Sequence, residues 1–213
     1  MTPAISPDDP ARYWDDRYER IGDLQVSWFQ ARPATSLDLI DSLRIEPSTP
    51  VLDVGGGNAR LVDELVARGF QDVTVLDVSA HALRLSRRRL DAPGVVTWLH
   101  ADVLTWRPQR RWGLWHDRAV FHFLTAPADR AMYLANLERA LQTGGSFVIA
   151  TFAPGGPNRC SGLPVRRYDR TALGDEVLAA LPSAAVCAWR DETHVTPSGA
   201  TQPFTWIAGT VPD

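Results

Sequence analysis

The sequence predicts an α/β fold around an open, mostly parallel sheet, and three observations carry that reading. An apolar strand, Val51–Val54, runs directly into Gly55-Gly56-Gly57 and then into a helical stretch with Leu61, Val62, Leu65 and Val66 on one face. From there to the C-terminus, strand-like runs alternate with helix-period segments, the order that builds parallel sheets. The 213 residues, 45% hydrophobic and 22% charged, suffice for one domain with a sizeable core.

Composition narrows the class further. A net charge of −3 leaves no electrostatic footprint for nucleic acid. Cys160 and Cys187 lack C-x-x-C spacing, so neither a disulfide framework nor a metal site is expected. The start, Met1 to Pro10, carries Asp8 and Asp9 instead of a basic-then-apolar signal pattern, and no run approaches the length of a membrane span. The expectation is a cytoplasmic chain with no membrane partner, its oligomeric state open.

The elements follow in order. Asp9 can cap a helix over 10–22, with Pro10 in its first turn, Gly22 as its stop, and Trp14, Tyr18 and Ile21 on one face. An aromatic segment, Val26-Ser27-Trp28-Phe29-Gln30, leads to a second helix over Thr35–Leu43. After the glycine turn, Gly69 ends the next helix and Val73–Asp77 is the second strand. Ser79 can cap a helix over 80–90 that ends in Arg87-Arg88-Arg89, favourable to the dipole there. Gly94–Leu99 and Trp112–Asp117 are the third and fourth strands. A helix over Ala128–Leu141 should turn Met132, Leu137 and Leu141 inward, with Gly144-Gly145 as its stop. Ser146–Phe152 is the fifth strand, and a Gly/Pro-rich loop, Ala153–Pro164, follows it. A helix over Thr171–Leu181 precedes two strands, 184–189 and 204–211, joined by a turn at Pro197, Ser198 and Gly199 and so antiparallel.

The glycine turn is where chemistry is expected. Glycine lets the backbone turn with positive φ and a ligand approach closely, and the free N–H groups of a helix start favour acceptor oxygens. The dinucleotide pattern G-x-G-x-x-G fits Gly55 and Gly57 but meets Arg60 at its third glycine. The pattern D-x-G-x-G is met by Asp53, Gly55 and Gly57. Asp77, 24 residues beyond Asp53, is placed to accept both hydroxyls of an adenosine ribose, whichever cofactor carries it.

The D-x-G-x-G turn, Asp77, Asp102, Asp117, the Gly-Gly-Ser-Phe strand and the terminal hairpin together resemble a class I S-adenosyl-L-methionine (SAM)-dependent methyltransferase. The resemblance implies a doubly wound, mostly parallel, Rossmann-like sheet of seven strands, with helices on both faces and an antiparallel last strand. It also implies SAM across the carboxyl edge and S-adenosyl-L-homocysteine (SAH) as product. Cofactor contacts so implied are Asp53, Gly55, Gly56, Gly57 and Asn58 at the turn, Asp77 and Val78 at the ribose, Asp102 and Val103 at the adenine, and Asp117. The N-terminal Tyr13-Trp14-Asp15-Asp16-Arg17-Tyr18, with Val26–Phe29, is similar to a branch of small bacterial methyltransferases and of lysine methyltransferases acting on citrate synthase and elongation factor. In that branch paired aromatics close over SAM, which points to Trp14, Tyr18 and Trp28; an aromatic face attracts a sulfonium cation. The expected division is a lid over 1–45, a SAM-binding core over 46–152, and a substrate loop, helix and hairpin over 153–213.

For the chemistry, His122 is the expected base and Asp117 the orienter, because Asp117 ends the fourth strand and His122 follows it, where ligands of open α/β sheets sit. Arg159, Cys160 and Arg166 are the expected substrate-loop contacts. The expected function is methyl transfer from SAM to a small-molecule O, N or S nucleophile, thiols included. Alternatives are a protein lysine as acceptor, and, from another class, a nicotinamide-dependent oxidoreductase or a SAM-binding protein without catalysis.

Overall fold

A computed structural model describes residues 9–22 and 25–212. Met1–Asp8, on which most of the argument against a signal segment rests, lie outside the described residues. Among those described, no helix is long and apolar enough to cross a membrane.

The helices are α1 (Pro10–Ile21), α2 (Ala34–Ser42), α3 (Leu61–Ala67), α4 (Ala80–Arg89), α5 (Pro127–Ala140) and α6 (Arg170–Ala180). The strands are β1 (Val51–Val54), β2 (Val73–Asp77), β3 (Val96–His100), β4 (Trp112–Arg118), β5 (Leu141–Phe152), β6 (Arg159–Cys160), β7 (Leu163–Pro164), β8 (Ala185–Val195) and β9 (Thr201–Thr210). Seven of them form one sheet in the order β3-β2-β1-β4-β5-β9-β8, and β6 pairs with β7 separately. The first five strands of the large sheet run parallel, and β9 runs antiparallel to both β5 and β8. The sheet is the expected mostly parallel one, with its last strand antiparallel and inserted beside β5.

Period-two alternation gives each face its own core. Leu52, Trp115, Phe147, Ile149 and Ile207 pack on one face with Tyr133 and Leu137 of α5 and Leu173 and Val177 of α6. Val51, Val75, Leu114, Val148 and Trp206 pack on the other with α2 and α3. The central strands β1 and β2 are buried along their whole length, as parallel strands covered on both faces must be. Edge strand β8 is mostly exposed, and its Trp189 stands 49% open. A third cluster joins Tyr18, Val26 and Ala82 with Trp14, Trp28 and Phe29, where α1 lies on α4.

Two expectations fail locally. Gly144-Gly145 do not stop α5, which ends at Ala140, and Leu141 enters β5 directly. The glycines instead absorb a register shift: Trp112 pairs with Leu141, the next matched pair is Leu114 with Ser146, and Gly144 has φ +72. The extra residues form a bulge, which a glycine with positive φ makes possible. Met132 points outward at 39% exposure, because the buried stripe of α5 runs through Arg130, Tyr133, Leu134, Leu137 and Ala140.

Candidate active site

Where β1 ends, Gly55 and Gly57 adopt φ of +66 and +45. A Cβ on Gly57 would stand 2.6 Å from the Tyr18 hydroxyl and 3.0 Å from Asp77 Oδ2, and one on Gly55 would strike the Val120 side chain. The turn is therefore closed to other residues by both backbone strain and space. Asp53, only 3% exposed, shares a hydrogen bond with His116 Nδ1 at 2.7 Å, and His116 Nε2 contacts Ser36 Oγ at 3.0 Å. This buried chain joins α2, β4 and β1 beneath the turn, and Asp53 and His116 are register partners across β1 and β4. Asn58 Oδ1 accepts from Ser86 Oγ at 3.3 Å and from Arg89 Nη1, tying the turn to α4.

Asp77 ends β2, and its Oδ1 accepts from Ser79 N at 2.7 Å. Burial pushes its carboxyl up to about 7, against the opposing pull of that N–H. The neighbouring Tyr18 phenol is raised by burial and by the Asp77 charge. Asp15 Oδ1 of α1 accepts from Ser79 Oγ at 2.6 Å and from His81 N at 2.9 Å, which pins α1 to the start of α4. Asp102 folds back on its own turn and accepts from Leu104 N at 2.9 Å.

These elements enclose a cavity of about 430 Å³. Its floor is made by strand ends, among them Val54, Gly55, Asp77, Val78, Asp102 and Val103. Tyr13, Trp14, Tyr18 and Trp28 cover it, and Phe123, Cys160, Leu163 and Pro164 make the far wall. The cover is locked by edge-to-face aromatic pairs: Trp14 with Trp28 at 5.7 Å, Tyr18 with Trp28 at 5.7 Å, and Trp14 with Phe123 at 5.2 Å. The Tyr13 hydroxyl donates to the Ser161 carbonyl of the β6–β7 hairpin, so α1 reaches across to the far wall. A smaller cavity of about 50 Å³ adjoins, lined by Asp53, Gly56, Asn58, Ser36 and His116, and shares Tyr18, Trp28, Val54, Gly55 and Arg118 with the larger one.

Several sequence expectations need correction. His122 does not line either cavity: it is fully buried between Phe123 and Phe152, with ring centroids at 4.4 and 4.7 Å. Burial and the Arg118 charge push it down to about 3, so it is a neutral core histidine. Asp117 is also fully buried and faces its own turn, accepting from Val120 N at 2.7 Å, Phe121 N at 3.0 Å and Tyr133 Oη at 2.6 Å. It builds the β4 turn and reaches neither cavity. Arg159 turns back to the Gly162 carbonyl, and Arg166 lies over the Tyr168 ring at 5.0 Å with Glu176 at 3.8 Å; both are absent from the cavity wall. Of the three expected loop contacts, Cys160 alone lines it, its thiol pushed up to about 11 by burial. Tyr13, Phe123, Leu163, His116 and Arg118 also face the cavities although none of them is among the expected site residues; Tyr13 lies within the N-terminal aromatic motif, and the others carry no site signal of their own. The alternation of β4 against Asp53 was the one usable signal for His116.

Comparison with known proteins accords with this geometry. A family model described as a methyltransferase domain matches residues 51–145. The mouse protein EEF1A lysine methyltransferase 2 is 26% identical over 189 residues, covering 80% of this chain and 73% of its own length. Nodulation protein S of Rhizobium tropici is 28% identical over 147 residues, covering 69% of this chain and 56% of its own. The crystal structure of Burkholderia thailandensis 1,6-didemethyltoxoflavin-N1-methyltransferase, with bound 1,6-didemethyltoxoflavin and SAH, superposes with a TM-score of 0.69 at 19% identity, covering 100% of this chain and 93% of that one. At that identity the likeness is one of fold.

Proposed function

We propose that this chain, a class I SAM-dependent methyltransferase, methylates a small-molecule nucleophile inside the covered cavity. The observation that carries the acceptor class is the contact of Tyr13 with Ser161, which joins the aromatic cover to the hairpin wall across the cavity. About 430 Å³, mostly behind apolar and aromatic walls with a few polar groups, is the scale of a small-ligand site.

The residues present fit the cofactor. The glycine cradle that a Cβ would fill leaves room for close backbone approach, and Asp77 and Asp102 offer carboxylates where an adenosine has hydroxyl and amino donors. In this reading Asp77 holds the ribose, Asp102 and Val103 hold the adenine, and Trp14, Tyr18 and Trp28 face the sulfonium. When bound, SAM supplies the electrophilic methyl group. The chain's own contribution is alignment, which can be worth ~7–11 kcal/mol, and exclusion of water by the aromatic cover. Cys160 stays a neutral thiol and His122 lies outside the cavity, so neither serves as a base. An acceptor that arrives with its lone pair already free needs neither of them.

A protein lysine is the second reading, favoured by the likeness to the mouse protein named EEF1A lysine methyltransferase 2. A lysine side chain of a protein would have to enter past the hairpin wall that Tyr13 ties to the aromatic cover. The nicotinamide alternative falls with the methyltransferase-domain match. The test is incubation of the purified enzyme with methyl-tritiated SAM and a desalted or undesalted cell extract. Label in molecules that pass a 3 kDa filter (roughly, well above any pocket-sized ligand) is the expected result. Label confined to protein, and undiminished by desalting, would overturn the small-molecule reading.

A further inference from the structure

Arg118 ends β4 and lines both cavities. Its guanidinium lies 4.5 Å over the Phe204 ring, and Nη1 donates to the Trp28 carbonyl at 3.2 Å. Nε and Nη2 are closed off from solvent and have no hydrogen-bond partner among the described residues. Glu192 is near enough for its field to act on Arg118, yet its two oxygens accept from Gln30 Nε2 and Trp206 Nε1, each at 2.8 Å. Cys160 shares the cavity wall and is also felt electrostatically by Arg118, but it is a neutral thiol and adds no counter-charge. Burial works against the Arg118 charge, and arginine keeps its proton nonetheless. Two guanidinium nitrogens shut off from water without a hydrogen-bond partner are a costly arrangement, one that a ligand reaching Arg118 would relieve.

We propose that the methyl acceptor is a small organic anion whose negative charge is taken up by Arg118. The inference rests on the small-molecule reading above and names the acceptor's chemical class. An anion of this kind uses its own lone pair to form the new bond to the methyl carbon as the sulfonium–methyl bond breaks. The electron pair of the broken bond stays on the cofactor sulfur. Where the anionic atom is itself the nucleophile, a cation and an anion are converted to two neutral products and no proton has to move. That balance agrees with a cavity whose thiol is neutral and whose nearby histidine lies in the core. Two sources share this chemistry: a thiolate that is methylated at its charged atom, and a carboxylate that is either methylated or serves as a handle.

The test is calorimetric titration of the SAH-loaded enzyme at pH 8 with matched probes: benzoate against benzamide, and thiophenolate against thioanisole. In the wild type the anion of at least one pair should bind at least ~10-fold more tightly than its neutral partner, and Arg118→Met should abolish that preference. Arg118→Lys should keep part of it, since the charge remains while the planar fork is lost. SAH affinity of each variant, measured in the same instrument, separates loss of the anion site from loss of the fold. The pair that responds tells a thiolate from a carboxylate. Neutral probes binding as well as their anions, an anion preference that survives Arg118→Met, or no anion binding at all would each overturn the proposal. If neutral small molecules bind and are methylated, the small-molecule reading survives without it. Label found only in protein removes that reading separately.

Discussion

The two ends of the cavity are built by different means. The floor comes from strand ends and one tight turn: Val54, Gly55, Asp77 and Asp102 stand there because β1, β2 and β3 are parallel neighbours whose carboxyl ends share an edge. The far wall is assembled from segments distant in sequence, and the Tyr13–Ser161 contact spans 148 residues. The first end is held by backbone geometry and buried hydrogen bonds, so it tolerates almost no change of residue type. The second is held by aromatic packing and one hairpin, so it can change shape while the sheet stays the same. In the proposed reading the first is the cofactor end and the second the acceptor end.

Substitutions can break this contrast or sharpen it. His116→Ala should act on the first end through stability: it leaves Asp53 and Ser36 buried without their partner and should cost ~3 kcal/mol in urea unfolding. A loss under ~0.5 kcal/mol would mean that the buried chain contributes nothing. Gly57→Val should weaken SAH binding by ~100-fold, since it adds strain at φ +45 and meets Tyr18 and Asp77. Wild-type affinity in that variant would remove the turn from the cofactor site.

Asp77 gives a pH test of the same end. Its carboxyl is raised from 3.8 to about 7 by burial, and in the proposed reading the ionised form is the one that would accept ribose hydroxyls. SAH affinity should therefore fall about tenfold per unit below pH 7 and level off above it, and Asp77→Asn should flatten that slope. The sign for the ligand-free fold is opposite. The folded state holds a proton that the unfolded chain releases above 3.8, so stability is lost as pH rises toward about 7. A binding profile without a step near 7 would separate Asp77 from the ligand.

The second end should respond more mildly. Trp14→Ala removes contacts to Trp28 and Phe123 and should raise the acceptor KM by ~5-fold with kcat less affected. An equal loss in kcat and kcat/KM would instead make Trp14 part of the reacting geometry. The smallest effect is expected at His122→Leu. A general base there would cost ~100- to 10,000-fold in turnover, whereas a core histidine outside the cavity should leave turnover within ~3-fold of wild type.

The same division explains what was legible in the sequence. The strand, triple glycine and helix announce themselves because each is a local pattern, and Asp77 and Asp102 are found by counting to the next strand ends. The seven strands were legible for the same reason, although β8 and β9 run longer than their most apolar stretches. Gly144-Gly145 misled, because a glycine pair after a helix pattern reads equally as a stop or as a bulge. His122 and Asp117 misled because sequence places residues at and after the end of β4 without giving their direction. The 3-10 turn at Phe121–Phe123 rotates His122 into the core, and Asp117 turns to its own loop's N–H groups. Arg118, one residue later, is the side chain that lines the cavity, and nothing in the local pattern distinguishes it from a solvated arginine. Tyr13 and Ser161 could not be paired by any periodicity, since only the packing of α1 brings them together.

The most direct measurement is a crystal structure of the SAH complex. The ribose hydroxyls should lie within about 3 Å of Asp77, the adenine at Asp102 and Val103, and the sulfur against a cover of Trp14, Tyr18 and Trp28 still joined to the hairpin through Tyr13 and Ser161. SAH bound away from Asp77, or a complex in which α1 swings off the hairpin and leaves the cavity open along one side, would contradict that arrangement.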